Sequence, residues 1–466
     1  MLNNQIKIEK SSFRDVKATV FISGNKIFRK IDTRLNLNFQ KFLTSVFYKT
    51  NSSNIIKTKI LNDNEIAEYK LEKDEHILWL EHEKIENIVY PYELTFGQLK
   101  DSALLFLNLY IDAIKNSYDL VDASAYNIQF KNNNPVFIDI GSFVLFEESS
   151  NIKWHKQFCE NYLGPLLIKS KSNINFNDLF KSNLDGIDLK TISKLLPLKS
   201  WLNFNIFTNI HLHSYLNSKV TSVSTKRTNT SYTNITKEKK IMICETLKKI
   251  INKLNIKNNS YWSLYSRHNS YSEIDTNKKR KSILEFIKLE KPKFILDLGC
   301  NNGDYSELCF QNGVEKIIGV DNDADALNKS YYRFKDKNFD YLPIYQNFSN
   351  PSPNIGWDNQ ERMSFQKRYR DKFDCIICLA FIHHICIGNN VPFKYFLDYL
   401  AKFSKKILIE FVHENDEMVK NLSINKKDLM RNYNIENFKK VVLEKFKIIK
   451  EEKISSTRTM LHIINE

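Results

Sequence analysis

The feature that most constrains this chain is the run Lys293-Phe294-Ile295-Leu296-Asp297-Leu298-Gly299-Cys300-Asn301-Asn302-Gly303-Asp304-Tyr305-Ser306. An apolar strand runs into an Asp-x-Gly-x-Asn-x-Gly turn, and a helical pattern follows through Glu307, Leu308, Cys309, Phe310 and Gln311. Glycine is scarce, 11 in 466 residues, so the close pair Gly299 and Gly303 marks a turn where the backbone must come near a ligand. The helix that follows directs its free amides and positive end into the same crevice. A second strand-like run, Ile317-Ile318-Gly319-Val320-Asp321, ends on an acid 24 residues after Asp297, placed to accept the two ribose hydroxyls of a nucleoside.

Strand-like and helical runs alternate from there on, with strands expected near 293–298, 317–321, 341–345, 375–380 and 405–412. That alternation predicts an α/β, doubly wound, Rossmann-like parallel sheet. A glycine turn and an acid would also suit a nicotinamide dinucleotide. The turn is not Gly-x-Gly-x-x-Gly, however, and Asp297 stands where such a cofactor needs no charge. An early acid suits a ligand with cationic amino-acid and sulfonium groups.

These two segments resemble motifs I and II of the class I S-adenosylmethionine-dependent methyltransferases. Asp374, the apolar run Cys375 to Ile382, and His383-His384 resemble the fourth strand and its ending. Lys406 to Val412 resembles the fifth strand, and the tail from Phe446 resembles the closing antiparallel hairpin. Tyr261-Trp262-Ser263-Leu264-Tyr265, Tyr271, Ala380 to His384 and Ile409 to Val419 are similar to the rhizobial host-specificity nodulation methyltransferase group, whose members act on carbohydrate-containing signals. The resemblance implies S-adenosylmethionine as cofactor. Asp297, Gly299, Asn301 and Gly303 would line its methionine part, Asp321 the ribose, and Asn322 or Asn347 the adenine, with Tyr271 as a lid.

Methyl transfer needs alignment and exclusion of water more than covalent help. A hydroxyl acceptor gains from a general base, and His383 or His384 stands where one could reach, with His413 as another candidate. The alternative for the pair is a structural hydrogen bond or a pocket wall. Glu410 is read either as a substrate-binding group or as a structural carboxylate at a strand end. Cys375 and Cys378, three apart on a strand, point to opposite faces, and no transition-metal site is expected.

In the first half, a hairpin is expected around Ser23-Gly24-Asn25, a helix from about 96 to 117, and mainly helix from 154 to 216. Asp122, Asn127 and Asp139-Ile140-Gly141 resemble a protein-kinase catalytic loop with its metal-binding Asp, which would imply a nucleotide and magnesium site. Leu120-Val121 replaces the usual His-Arg, no glycine-rich loop precedes it, and Lys26 and Lys30 are the candidate phosphate-binding lysines. A degenerate kinase-like α+β domain, kept for substrate presentation or packing, is the alternative.

Residues 217–240 are rich in Ser, Thr and Asn and carry six basic residues against one acid, Glu238. They are expected to form a basic linker between a domain at 1–216 and a methyltransferase domain at 241–466. The net charge of +15 comes from 69 Lys and Arg against 54 Asp and Glu, spread along the chain without a dense arginine patch, so nucleic acid is not the expected partner. The expected partner is a small-molecule or carbohydrate acceptor. No 18-residue apolar run spans a membrane, the first residues lack a signal core, and the seven cysteines form no disulfide framework, so the expected location is cytoplasmic. Three functions remain open at this point: O-methylation of a sugar-containing or small molecule, a bifunctional protein that also handles phosphate, and RNA- or protein-directed methylation. Oligomeric state is left open.

Overall fold

The computed structural model describes residues 6–15, 18–34, 39–147, 152–222, 235–256, 260, 272–337 and 339–465. The chain forms two compact units, one of Met1–Tyr92, Gln98–Lys257 and Ile355–Arg362, the other of Glu93–Gly97, Asn258–Asn354 and Met363–Glu466.

The first unit begins with an antiparallel sheet of order β1-β2-β3-β5-β4, made of Lys7–Ile8, Ala18–Ser23, Lys26–Asp32, Thr58–Ile60 and Ile77–His82, where β4 is Thr58–Ile60 and β5 is Ile77–His82. The expected hairpin is β2–β3, turned at Gly24 with φ of +56°. Helix α1, Phe96–Lys115, buries Leu99, Ala103, Phe106, Tyr110, Ala113 and Ile114, the three- and four-residue spacing of one face. Two small ladders follow, β6 (Tyr118–Leu120) with β9 (Phe143–Leu145), and β7 (Ile128–Lys131) with β8 (Asn134–Phe137). The next helix, α2, covers 155–172, with wide π turns at Cys159–Leu163 and Ile168–Ser172. Helix α3 covers 204–222 and ends in His213–Ser222.

The linker differs from its expected form. Residues 217–222 continue α3, and 237–240 open helix α4, Lys237–Asn252, capped by Thr236. Residues 223–234 lie outside the described residues. The expected boundary at 240/241 therefore falls inside a helix. The physical reason is Lys240, fully buried and paired with Asp119 at 3.2 Å, which together with buried Cys244, Leu247 and Ile251 seats α4 in the first unit. Polar composition concealed an amphipathic stripe. The segments Glu93–Gly97 and Ile355–Arg362 also depart from a simple division. Glu93 is buried against Arg368 and accepts from Ser352 (2.8 Å) within the second unit, while Glu361 holds Arg14 through two bonds of 2.9 and 3.0 Å within the first.

The second unit is a seven-stranded sheet of order β12-β11-β10-β13-β14-β16-β15. Strands β10 (Phe294–Leu298), β11 (Lys316–Asp321), β12 (Asp340–Tyr345), β13 (Cys375–Cys378) and β14 (Lys406–Val412) are parallel; β16 (Arg458–Asn465) and β15 (Phe446–Ser455) close the sheet antiparallel. The five expected parallel strands and the closing hairpin are all present. Helix α5, Glu273–Glu290, begins at the Ser272 cap and lays Lys279, Ser282, Ile283, Phe286 and Ile287 on the sheet. Ile295, Cys375, Ile377, Leu408 and Met460 meet it from the strands, forming the core under the site. Asp374 fixes the neighbouring strand start by accepting from the Lys293 and Phe294 amides at 2.7 and 2.9 Å. No helix among the described residues is long and apolar enough to cross a membrane.

Candidate active site

The turn after β10 is built by backbone geometry. Gly299 and Gly303 take φ of +72° and +78°, and Asn301 takes +50°. A Cβ at Gly299 would stand 2.8 Å from the Phe381 ring, and one at Gly303 2.6 Å from the Phe334 ring, so both sites exclude side chains by space as well as by torsion. The Gly299 amide donates to the Val320 carbonyl (2.9 Å), which ties the turn to the end of β11. Asp321 completes the tie, accepting from the Asn301 amide (2.9 Å) and the Asp323 amide (2.8 Å). Helix α6, Asp304–Phe310, starts directly at Gly303. Its Ser306 donates to the buried Asp297 carboxylate at 2.6 Å.

The structure thus brings Asp297, Gly299, Asn301, Gly303 and Asp321 together, with Asn322 exposed beside the last of them. Burial pushes the Asp297 carboxyl up to about 6, opposed by the Ser306 bond and reinforced by Asp321. Burial likewise pushes Asp321 up to about 6 against the two amides that hold it. Neither carboxylate has a direct ion pair among the described residues. Both would gain from a cation, and the acceptor Asn302 Oδ1 lies in the same turn, buried and without a partner among the described residues. That donor and acceptor set fits a ligand with cationic and hydroxyl groups.

Asn347 follows Gln346, whose amide donates to the Asp321 carbonyl at 2.9 Å, but its side-chain oxygen is taken by Ser349 at 3.0 and 2.7 Å. Tyr271 and the run from Tyr261 to Tyr265 lie outside the described residues.

After β13, the chain turns through Ala380 at φ of +49° and presents Phe381, His383 and His384. Phe381 covers Gly299, and its carbonyl accepts the His384 amide, so the imidazoles are anchored to the cofactor-type turn. The two rings lie 4.1 Å apart. Burial holds the His383 imidazole well below its ordinary value, helped by His384 and Arg458, and brings His384 down to about 4. His383 Nδ1 is buried without a hydrogen-bond partner among the described residues. His413 is engaged by Thr459 at 2.8 Å.

Glu410 is fully buried. Lys279 of α5 meets one carboxylate oxygen at 2.8 Å, and Arg458 stands 4.0 Å from the other. Arg458 continues to Asp416 at 3.1 Å, and the Lys279 ammonium lies 4.7 Å from the Tyr305 ring centre. Sequence reasoning missed Lys279 and Arg458. The first left a signal, a lone lysine on the apolar stripe shared by Ile283, Phe286 and Ile287. The second, just past a hairpin turn, left none.

In the first unit, Asp122 accepts from the Ser124 amide (2.9 Å) and from Gln157 of α2 (2.7 Å). The Asn127 carbonyl accepts the Ile138 amide (2.8 Å), which brings Asn127 beside the residue preceding Asp139. Asp139 is paired with Arg29 at 2.7 Å and accepts from Ser142 and the Gly141 amide. Burial would raise this carboxyl, but Arg29 and the donated hydrogen bonds hold it below the usual range. Lys26 turns to Tyr69 and Glu81, and Lys30 to Glu72. The cation facing Asp139 is neither candidate lysine but Arg29, on the opposite face of β3 from both.

Residues 266–387 match a methyltransferase domain family. The nodulation protein NoeA of Rhizobium meliloti (strain 1021) is 31% identical over 454 residues, 97% of this chain and 94% of that protein. This chain belongs to the NoeA family. It is a methyltransferase of that family, and S-adenosylmethionine is its cofactor. Among solved structures, the N-methyltransferase NodS of Bradyrhizobium japonicum WM9 covers 42% of this NoeA-family chain and 98% of its own, at 9% identity and a TM-score of 0.30. The bifunctional kinase-methyltransferase WbdD covers 47% and 46%, at 14% identity and a TM-score of 0.31. Likenesses at that level add nothing to the assignment.

Proposed function

We propose that the second unit transfers a methyl group from S-adenosylmethionine to a hydroxyl of a carbohydrate-containing or other small-molecule acceptor. The observation that carries this reading is the pair of acids, buried Asp297 and half-buried Asp321, both raised to about 6 beside the left-handed Gly299–Gly303 turn, with two imidazoles anchored to that turn through Phe381. When bound, the cofactor supplies an electrophilic methyl on sulfur. Asp321 would accept the ribose hydroxyls with the lone pairs its two amides leave free. Asp297, with Gly299, Asn301 and Gly303, would hold the methionine portion, and Asn322 or Asn347 would border the adenine.

His383 and His384 are uncharged at neutral pH because burial disfavours the imidazolium. A neutral imidazole can receive a hydroxyl proton, and a weak base does so only as the oxygen–methyl bond forms. Glu410 serves this arrangement indirectly: with both oxygens facing cations, it positions Lys279 and Arg458 rather than taking a proton. The acceptor class rests on the family resemblance, since NoeA is named a nodulation protein.

The first unit favours a scaffold over phosphotransfer, because Arg29 already neutralises the carboxylate that would hold magnesium. An RNA-directed reading would draw on the basic stretch 217–240, yet Lys240 there is buried against Asp119. The test is incubation of cell extract with methyl-labelled S-adenosylmethionine, followed by fractionation into lipid, polysaccharide, RNA and protein. Label in a carbohydrate or small-molecule fraction, lost with Asp321→Ala, supports the proposal; label confined to RNA or protein overturns it.

A further inference from the structure

His155, Cys159 and His213 of the first unit hold one donor atom each within 4.8 Å of one another. The motifs described above use none of them. His155 and Cys159 are four apart on α2, one helical turn, so their side chains share a face. His213 reaches the same point from α3, and its ring stacks on that of His155 with centroids 5.4 Å apart. Cys159 Sγ stands 4.0 Å from His155 Nε2. Tetrahedral bonds of about 2.3 Å to sulfur and about 2.0 Å to nitrogen set such atoms roughly 3.3–3.5 Å apart, a closure of about half an ångström for that pair and of up to about 1.5 Å for the widest pair of the set.

We propose that His155, Cys159 and His213 bind a zinc-class divalent ion. One thiolate and two imidazoles are borderline-soft donors, which excludes magnesium and calcium as the preferred ions. A fourth ligand is at hand in Asn209, whose Oδ1 lies 2.8 Å from His155 Nε2. His213 Nδ1 is buried without a hydrogen-bond partner of good geometry among the described residues, an arrangement that a ligating ring would relieve. On binding, the Cys159 thiol gives its proton to solvent and the sulfur–metal bond forms.

The consequence is mechanical. The same turns of α2 carry Gln157 and Asn161, which accept the Ala123 and Ala125 amides at 2.8 and 3.1 Å. An ion joining α2 to α3 would therefore stiffen the helix that supports the Asp122–Asn127 loop. It would also join positions 54 residues apart in the chain, Cys159 and His213, and so stabilise the fold against unfolding.

The full chain, freed of any histidine tag, is to be assayed for metal by mass spectrometry and, after chelation, titrated with cobalt(II). The expected result is about one equivalent of zinc per chain and a thiolate-to-cobalt charge-transfer band in the near ultraviolet. Cys159→Ser should remove the band, and both Cys159→Ser and His213→Ala should lower zinc content at least about fivefold. A wild-type chain, folded by circular dichroism, that takes up neither ion overturns the proposal. So does full zinc content in both variants. His213→Gln serves if His213→Ala does not fold.

Discussion

Asp139 and Asp321 both stand at the end of a strand, both are half-buried, and they behave in opposite ways. Asp139 has Arg29 at 2.7 Å and is held below the usual carboxylate range. Asp321 has only backbone amides and rises to about 6. The difference is whether the chain supplies the cation itself. A carboxylate paired internally has spent its electrostatic capacity on the fold, whereas one left among amides keeps it for a ligand. The second unit repeats the contrast: Glu410, flanked by Lys279 and Arg458, belongs to the framework, while Asp297 is bonded to Ser306 and has no direct ion pair among the described residues.

The comparison can be broken most forcefully at its framework end. Lys279→Met leaves Glu410 buried without its close partner and should cost about 3–5 kcal/mol of stability, read from urea unfolding. A loss under about 1 kcal/mol would remove Glu410 from the framework class. Asp321→Ala should instead cost about 2–4 kcal/mol of S-adenosylmethionine affinity by calorimetry, with little change in the unfolding midpoint. Full affinity in that variant would displace the ribose site.

Gly299→Ala tests the turn between them. An alanine there must hold φ near +72° and push the Phe381 ring away, so about 1–3 kcal/mol of stability should go, with cofactor affinity falling alongside. The pH dependence is a smaller effect. Carboxyls at about 6 lose their charge as pH falls, and a neutral acid attracts a sulfonium less. Affinity should therefore hold from pH 8 to 7 and weaken below 6, by up to about tenfold per unit for each carboxyl. The smallest expected effect is in the first unit: ATP with magnesium should give no thermal shift, and Asp139→Asn should leave cofactor affinity within about twofold. A shift abolished by Asp139→Asn would return that unit to nucleotide chemistry.

The sequence by itself determined the second unit. Five apolar runs, the Gly299–Gly303 turn and the acid at Asp321 were legible because strand periodicity and positive φ are local demands that the chain writes into consecutive residues. Tertiary structure alone decided which charges meet. Lys279 and Glu410 are 131 residues apart, Arg29 and Asp139 are 110 apart, and Lys240, read as part of a polar linker, proved to be a buried partner of Asp119. Pairing across such distances is set by which helix face reaches which strand end, and no pattern of neighbours records it. The same holds for His213, which meets His155 and Cys159 only because α3 packs where it does.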